Sequence, residues 1–374
     1  MTGHEKIKYT VNPYKEDKEG LLVVDAIAPV ILSVSRATDI PAFHAEWFNR
    51  RWSHGYCTWI NPYSNEPQYV SFDNVRGIVF WTKNPNYPFS DIFSSLNQKH
   101  ISYYVQYTLN DYEKEKFEPN LPTLSDRIYK FKRLSQELGK HRVIWRFDPL
   151  ITTKKLTVEE LTSRIENIGS EIAGMTDKLV FSFVDINTYK KVQNNLVKYT
   201  DCFNRDTIND SEFSPTYMDE MAASLAELRD RWAKDGWNVE LATCGEKVDL
   251  DKYNISHNRC VDADLFRRLA IENDDKKLLN YLDYGVVLHD NEEYKPDGYR
   301  LTNEQLKDKG QRMLCGCMLS KDIGAYNSCS HYCVYCYANA SREQVKYNMQ
   351  FRRDPHCVSL LKPVDDTNKT ISCL

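Results

Sequence analysis

Six short runs rich in β-branched and aromatic residues recur along the chain, and helical patterns fill the intervals between them. The runs are ILSVS (31–35), GIVFWT (77–82), SYYVQYT (102–108), RVIWRF (142–147), KLVFSFV (178–184) and NVELAT (238–243), with a shorter seventh, DIGAYN, at 322–327. Nearly continuous apolar runs of this length predict strands of a parallel sheet covered on both faces. Leu124, Ile128, Phe131, Leu134 and Leu138 form a helical stripe ahead of Gly139, a C-terminal stop. Thr157 and Glu160 predict a capping box for a helix carrying Leu161, Ile165, Ile168 and Ile172. Ser214 then Pro215 opens a third helix, with Met218, Met221, Leu225, Leu228 and Trp232 on its stripe and Gly236 past its end. Strand–helix alternation repeated in this way predicts an α/β fold, either a β/α barrel or an open doubly wound sheet.

Polar residues gather where the strands end: Arg36 and Asp39, Lys83 and Asn84, Gln106 and Thr108, Arg146 and Asp148, Asp185, then Cys244 and Glu246. In a β/α barrel these positions share one rim, where active sites are built. The plainer explanation, that strand ends are polar because loops are polar, applies to any one of them. Their recurrence over six strands favours a shared site.

The 11 cysteines need an explanation of their own, because the first 20 residues lack the apolar core of a secretory signal. No run approaches 18 apolar residues, so no membrane span is expected. A cytoplasmic location with reduced thiols follows, and ligand roles gain over disulfides. A net charge of −4 excludes a polybasic nucleic-acid coat, though not a local basic groove. No G-x-G-x-x-G follows a strand and no Walker loop is present, which argues against a nicotinamide enzyme or a nucleoside triphosphatase.

The sharpest motif is Cys329-Ser-His-Tyr-Cys333-Val-Tyr-Cys336, a C-x3-C-x2-C spacing between DIGAYN and a helix expected to start near Tyr337. Three thiolates on one loop can ligate three irons of a [4Fe–4S] cluster and leave the fourth open to a substrate or cofactor. Tyr335 would shield the cluster edge. The alternatives are zinc, with His331 as a fourth ligand at the cost of loop strain, or unligated buried thiols.

With an aromatic residue before its third cysteine, this motif resembles that of the radical S-adenosylmethionine (SAM) superfamily. The run Cys333-Val-Tyr-Cys336-Tyr337-Ala-Asn is similar to the form seen in spore photoproduct lyase-like members. Over roughly residues 30–345 the chain also resembles the family described as domain of unknown function 1848. SRATDIPAF (35–43), FWTKNP (80–85), WRFDPL (145–150), CGC (315–317) and DIGAYN with the triad carry that resemblance. It implies an enzyme in which Cys329, Cys333 and Cys336 ligate a [4Fe–4S] cluster whose open iron binds SAM. A 5′-deoxyadenosyl radical would then abstract hydrogen from the substrate. A reductant such as flavodoxin or ferredoxin is the implied electron donor. In that superfamily the triad ordinarily follows the first barrel strand, whereas here it follows the last. A partial or permuted (β/α) barrel is therefore expected, with DIGAYN beside ILSVS. The Gly-Gly-Glu segment of the superfamily is absent. In its place Arg36 would pair with the SAM carboxylate and Asp39 with its ammonium, beside Ser35 and Thr38.

Cys244, Cys260, Cys315 and Cys317 form a looser second group. An auxiliary [4Fe–4S] cluster, a structural zinc, and ordinary buried or catalytic cysteines are all open for it. Cys57, Cys202, Cys357 and Cys373 have no spacing logic and are expected to be packing or surface thiols. Lys83 suits a phosphate or carboxylate, or else sits in a solvated turn whose Asn84 bonds backbone. Arg146 and Asp148 either contact substrate or form an ion pair that positions the rim. Gln106, Thr108 and Asp185 invite weaker versions of the same argument. Tyr103, Tyr104 and Tyr107 can stack on a base but, at strand spacing, belong more naturally to the core. The expected organisation is an extension over 1–28, the barrel over 29–345 and a tail over 346–374. In that tail, Arg352, Arg353 and Pro355 would lie across the rim or meet a partner. The expected substrate is a nucleic-acid lesion, a modified base or a small molecule, with no membrane partner. The rival functions are nucleic-acid binding or electron transfer with structural clusters or zinc.

Overall fold

The six long apolar runs named above all lie in one sheet. The computed structural model describes residues 4–11, 21–86, 89–288, 292, 299–350 and 357–361. Its strands are β1 (Glu5–Val11), β2 (Leu22–Ala28), β3 (Ile31–Val34), β4 (Tyr56–Ile60), β5 (Pro67–Ser71) and β6 (Gly77–Thr82). They continue with β7 (Ser102–Thr108), β8 (Val143–Leu150), β9 (Lys178–Phe183), β10 (Glu240–Thr243), β11 (Ile255–His257) and β12 (Lys321–Asp322). Eight of them form a parallel sheet in the order β11-β10-β9-β8-β7-β6-β3-β12. Among the described residues no pairing joins its edge strands β11 and β12. DIGAYN thus stands beside ILSVS as expected, with Lys321 opposite Leu32 and Asp322 opposite Ser33. Only Lys321 and Asp322 are paired strand, however; the rest of the run turns into the cysteine loop.

Side chains alternate across a strand, so successive residues of each run enter different cores. Leu32, Ile78, Phe80, Tyr103, Val105, Trp145 and Phe181 belong to the larger apolar core. That core includes residues of helices α1 (Ile40–Phe43), α2 (Ala45–His54), α3 (Asp91–Gln98), α4 (Leu124–Leu138), α5 (Val158–Glu171), α6 (Lys190–Tyr199) and α7 (Pro215–Lys234). Ile31, Val79, Tyr104, Ile144 and Val180 belong to a second core with helices α8 (Ala263–Glu272) and α9 (Lys276–Tyr284). This second face is apolar only at the amino ends of its strands. Two residues further along, the same parity brings Ser33, Trp81, Gln106, Arg146 and Ser182, with Cys244 just past β10. Tyr103, Tyr104 and Tyr107 are buried core residues, the plainer of their two expectations.

Caps follow the sequence closely. Thr157 accepts a bond from the Glu160 amide and Ser214 from the Tyr217 amide, with Pro215 opening α7. The expected capping box at Thr157 is only half formed, because the Glu160 side chain takes the Arg164 Nε at 2.9 Å. The helix expected near Tyr337 starts later, as α11 (Arg342–Gln350), after α10 (Asn303–Leu306).

β1, β2, β5 and β4 form a separate four-stranded sheet, into which the N-terminal segment is woven by parallel pairing of β2 with β5. This small sheet braces β12. Trp59 Nε1 donates to the Gly324 carbonyl at 3.0 Å, and Lys321 Nζ lies 3.4 Å from the Trp59 ring centre while donating to Gln68 Oε1 at 2.8 Å. Arg352, Arg353, Pro355 and Cys373 lie outside the described residues. Cys57 is a buried packing thiol and Cys202 an exposed one, as expected, but Cys357 is disulfide-bonded rather than a thiol. No helix among the described residues is long and apolar enough to cross a membrane.

The strongest tie between the two chain ends is the Asp322 carboxylate, which accepts from Ser33 Oγ (2.8 Å), Ser35 Oγ (2.6 Å), the Arg36 amide (2.8 Å) and the Gly324 amide (2.9 Å). Asp322→Ala leaves these donors without their acceptor and is expected to cost about 2–4 kcal/mol. Urea unfolding checks it; an unaltered midpoint would mean that β12 docks without the carboxylate.

Candidate functional site

The polar half of the second sheet face opens into a cavity of about 380 Å³ at the carboxyl ends of the strands. That is where ligands bind in parallel α/β sheets, and the volume lies in the range of small-molecule pockets, ~300–1,000 Å³. Seven cysteines reach it: the triad Cys329, Cys333 and Cys336, and the second group Cys244, Cys260, Cys315 and Cys317.

The triad loop follows β12 and is held by side-chain and backbone hydrogen bonds. Asn339 Nδ2 donates to the Cys329 carbonyl (2.9 Å) and Asn120 Nδ2 to the Ser330 carbonyl (2.6 Å). The Val334 amide donates to the Phe117 carbonyl (2.9 Å). His331 pairs with Asp39, its Nε2 2.7 Å from Asp39 Oδ2. Tyr335 donates to Glu118 Oε1 in a short bond and receives Lys83 Nζ at 2.9 Å. Burial raises the pKa of all three triad thiols, and for Cys329 and Cys333 the neighbouring acidic groups and thiols add to it. A metal charge reverses that balance, since a coordinating thiol is deprotonated outright. Three thiols on one pinned loop suit a cluster that keeps one iron free of protein ligands. Among the described residues no three of His, Cys, Asp and Glu are placed to hold a single metal ion.

Arg36 lines the cavity, and its Nη2 is buried with no hydrogen-bond partner. Thr38 Oγ1 shares both properties. A buried donor left unpaired is costly, so an unpartnered guanidinium nitrogen in a cavity wall points to an absent acceptor. Arg36 and Arg146 both lie over the Trp81 ring, 5.6 and 5.5 Å from its centre.

The other expected residues are placed as follows. Asp39 lines the cavity, but its oxygens are occupied by the Ala42 amide (2.9 Å), the Lys83 amide (2.7 Å) and His331. Lys83 is no solvated turn residue: its ammonium bonds Glu118 Oε1 at 2.8 Å, and that pairing outweighs burial and raises its pKa. Burial pushes the Glu118 carboxyl up, but Lys83 and Arg127 hold it below the ordinary value. Asn84 is not part of the cavity wall, and its side-chain oxygen takes Lys130 Nζ at 2.5 Å. Arg146 and Asp148 both face the cavity and pair with each other, and Ser182 donates to the same carboxylate. Burial raises Asp148, yet the Arg146 guanidinium brings its pKa below the ordinary value. Gln106 is buried behind Arg146, bonding its Nη1 (3.2 Å) and the Cys260 carbonyl (2.9 Å). Thr108 lines the cavity, and Asp185 does so while bonding Arg312 at 3.1 Å. Glu246 is there too, its pKa pushed up to about 7 by burial.

Sequence reasoning missed Glu118 and the Asp39–His331 pair. Glu118 lies in an irregular stretch between β7 and α4, where no periodicity marks a buried carboxylate. Asp39 and His331 are 292 positions apart, with nothing local to join them.

No curated protein and no solved structure matches the chain. One family model does match, over residues 31–338, a span that includes every strand of the large sheet and all seven cavity cysteines. By that match the chain belongs to the family described as Domain of unknown function (DUF1848).

Proposed function

We propose that this chain is an iron–sulfur enzyme of the radical SAM type. Cys329, Cys333 and Cys336 would hold a [4Fe–4S] cluster in the strand-end cavity. The observation that carries the reading is the meeting, in one cavity, of three buried-loop thiols and the unpartnered Arg36 guanidinium. When bound, the cluster and SAM supply reductive cleavage of the cofactor to a 5′-deoxyadenosyl radical for hydrogen abstraction. On this reading the eight-stranded sheet is a permuted β/α barrel in which β12 takes the place of the usual first strand.

The chain's own residues have separable tasks. Arg36 binds the cofactor carboxylate through Nη2, where a charge-assisted bond is strongest in a site that excludes water. Asp39 acts one step back: through His331 it sets the cysteine loop, and through the Lys83 amide it ties that loop to the end of β6. Lys83, Glu118 and Tyr335 form a hydrogen-bonded unit that fixes Tyr335, the residue just before Cys336 in the cysteine loop. Arg146, fixed by Asp148 and Gln106, sets positive charge in the cavity wall beside Cys260. The reductant is a small one-electron carrier such as flavodoxin or ferredoxin. The substrate is a modified base, a nucleic-acid lesion or a small molecule.

Anaerobically reconstituted protein, reduced in the presence of SAM, is expected to form 5′-deoxyadenosine, and Cys333→Ala to abolish it. A chain that binds zinc but no iron and yields no deoxyadenosine would falsify the reading. Arg36→Ala is expected to weaken SAM binding by about 10–100-fold, the loss of one charge-assisted bond. Iron content should stay unchanged in that variant. Equal SAM affinity in Arg36→Ala and the parent, by equilibrium dialysis, would remove Arg36 from the cofactor site.

A further inference from the structure

Part of the cavity wall is built from the two edges of the sheet that, among the described residues, no strand pairing joins. Cys244 follows β10 and Cys260 follows β11, while Cys315 and Cys317 precede β12. These segments already touch. The Met318 amide donates to the Val261 carbonyl at 3.0 Å, and the Val261 amide to Cys317 Sγ at 3.3 Å. Cys244 Sγ and Cys260 Sγ stand 3.2 Å apart.

The sulfurs are surrounded by donors. Arg146 Nη1 lies 3.0 Å from Cys260 Sγ and Asn258 Nδ2 3.1 Å from it. With the Val261 amide, three N–H groups are aimed at two sulfur atoms. A neutral thiol is a weak acceptor, whereas a metal-bound thiolate takes such bonds readily. The Arg146 side chain is only 4% exposed, so its guanidinium sets positive charge beside the Cys260 sulfur in a buried place.

We propose that Cys244, Cys260, Cys315 and Cys317 hold a second iron–sulfur cluster that joins the β11 and β12 edges of the sheet. With four protein thiolates it has no open position, unlike the triad. A zinc ion, ~2.3 Å from each sulfur, requires all four in one small tetrahedron. Counts of iron, sulfide and zinc separate that site from a cluster. This inference does not rest on the radical SAM reading, and its test separates the two.

The full chain is reconstituted anaerobically with ferrous iron and sulfide, and iron, sulfide and zinc are counted per chain. The parent is expected to hold about eight irons, and the Cys329→Ala, Cys333→Ala, Cys336→Ala variant about four, with a reduced EPR signal that SAM does not alter. Cys260→Ser with Cys317→Ser is expected to hold about four irons whose signal does respond to SAM. Because the triad variant leaves the second group intact, misfolding of the Cys260/Cys317 variant does not decide the matter. An iron-free triad variant, one zinc in place of the second cluster, or a Cys244–Cys260 disulfide in the reconstituted parent would overturn the proposal. Iron retained by the triad variant but absent from the Cys260/Cys317 variant would uphold it and count against the triad reading instead.

Discussion

The Asp322 carboxylate is the joint on which the cavity depends. It takes hydrogen bonds from both serines of the Ser33–Ser35 stretch and from the Arg36 amide, and so fixes the last strand to β3 while setting the direction of the Arg36 backbone. Two residues of ladder are too few to hold a strand by themselves. The carboxylate supplies bonds that the ladder lacks, and Trp59 and Gln68 brace the other side. Gly324 is required at this joint for a steric reason, since a Cβ there would lie 1.8 Å from Ser35 Oγ. Everything beyond it, from Ala325 to Asn339, inherits its position.

The second sheet face divides its labour along the strand axis. Its amino end is closed by Phe266, Leu269 and Leu278 against Tyr104 and Ile144. Its carboxyl end carries buried charges that are nearly all paired: Arg146 with Asp148, Lys83 with Glu118, His331 beside Asp39. Buried pairs of this kind often stabilise a fold no better than apolar residues of similar volume. Their concentration around one cavity is therefore better explained by the need to place charge and donors there. Against that background the unpaired Nη2 of Arg36 stands out.

What was legible in the sequence follows the same division. β6 and β7 match the apolar runs residue for residue, and α4 ends before Gly139, because burial on both faces writes an unbroken apolar signal. The strands of the small sheet are different. β1, for example, is largely exposed and mixes lysine with β-branched residues, so no burial pattern marks it. At the site, the cysteines and strand-end polar residues were visible by spacing and position, and all but Asn84 and Gln106 reach the cavity. The partners were not visible. Whether Asp39 is free or bound to His331 is set by contacts between segments hundreds of residues apart, and local chemistry leaves no trace of them.

The same separation governs how the protein is made. Ser33 and Asp322 lie 289 positions apart, so at ~5–20 residues per second the ribosome needs roughly 15–60 s to deliver the second after the first. During that interval the outer edge of β3 has no neighbour, and an unpaired edge invites pairing with other chains. The small sheet, complete by Ser71, is the element present early enough to stand beside that edge. The triad thiols emerge together, within eight residues of one another, only when nearly all of the sheet-forming chain is already outside. Their loop therefore closes onto a sheet that has had time to form.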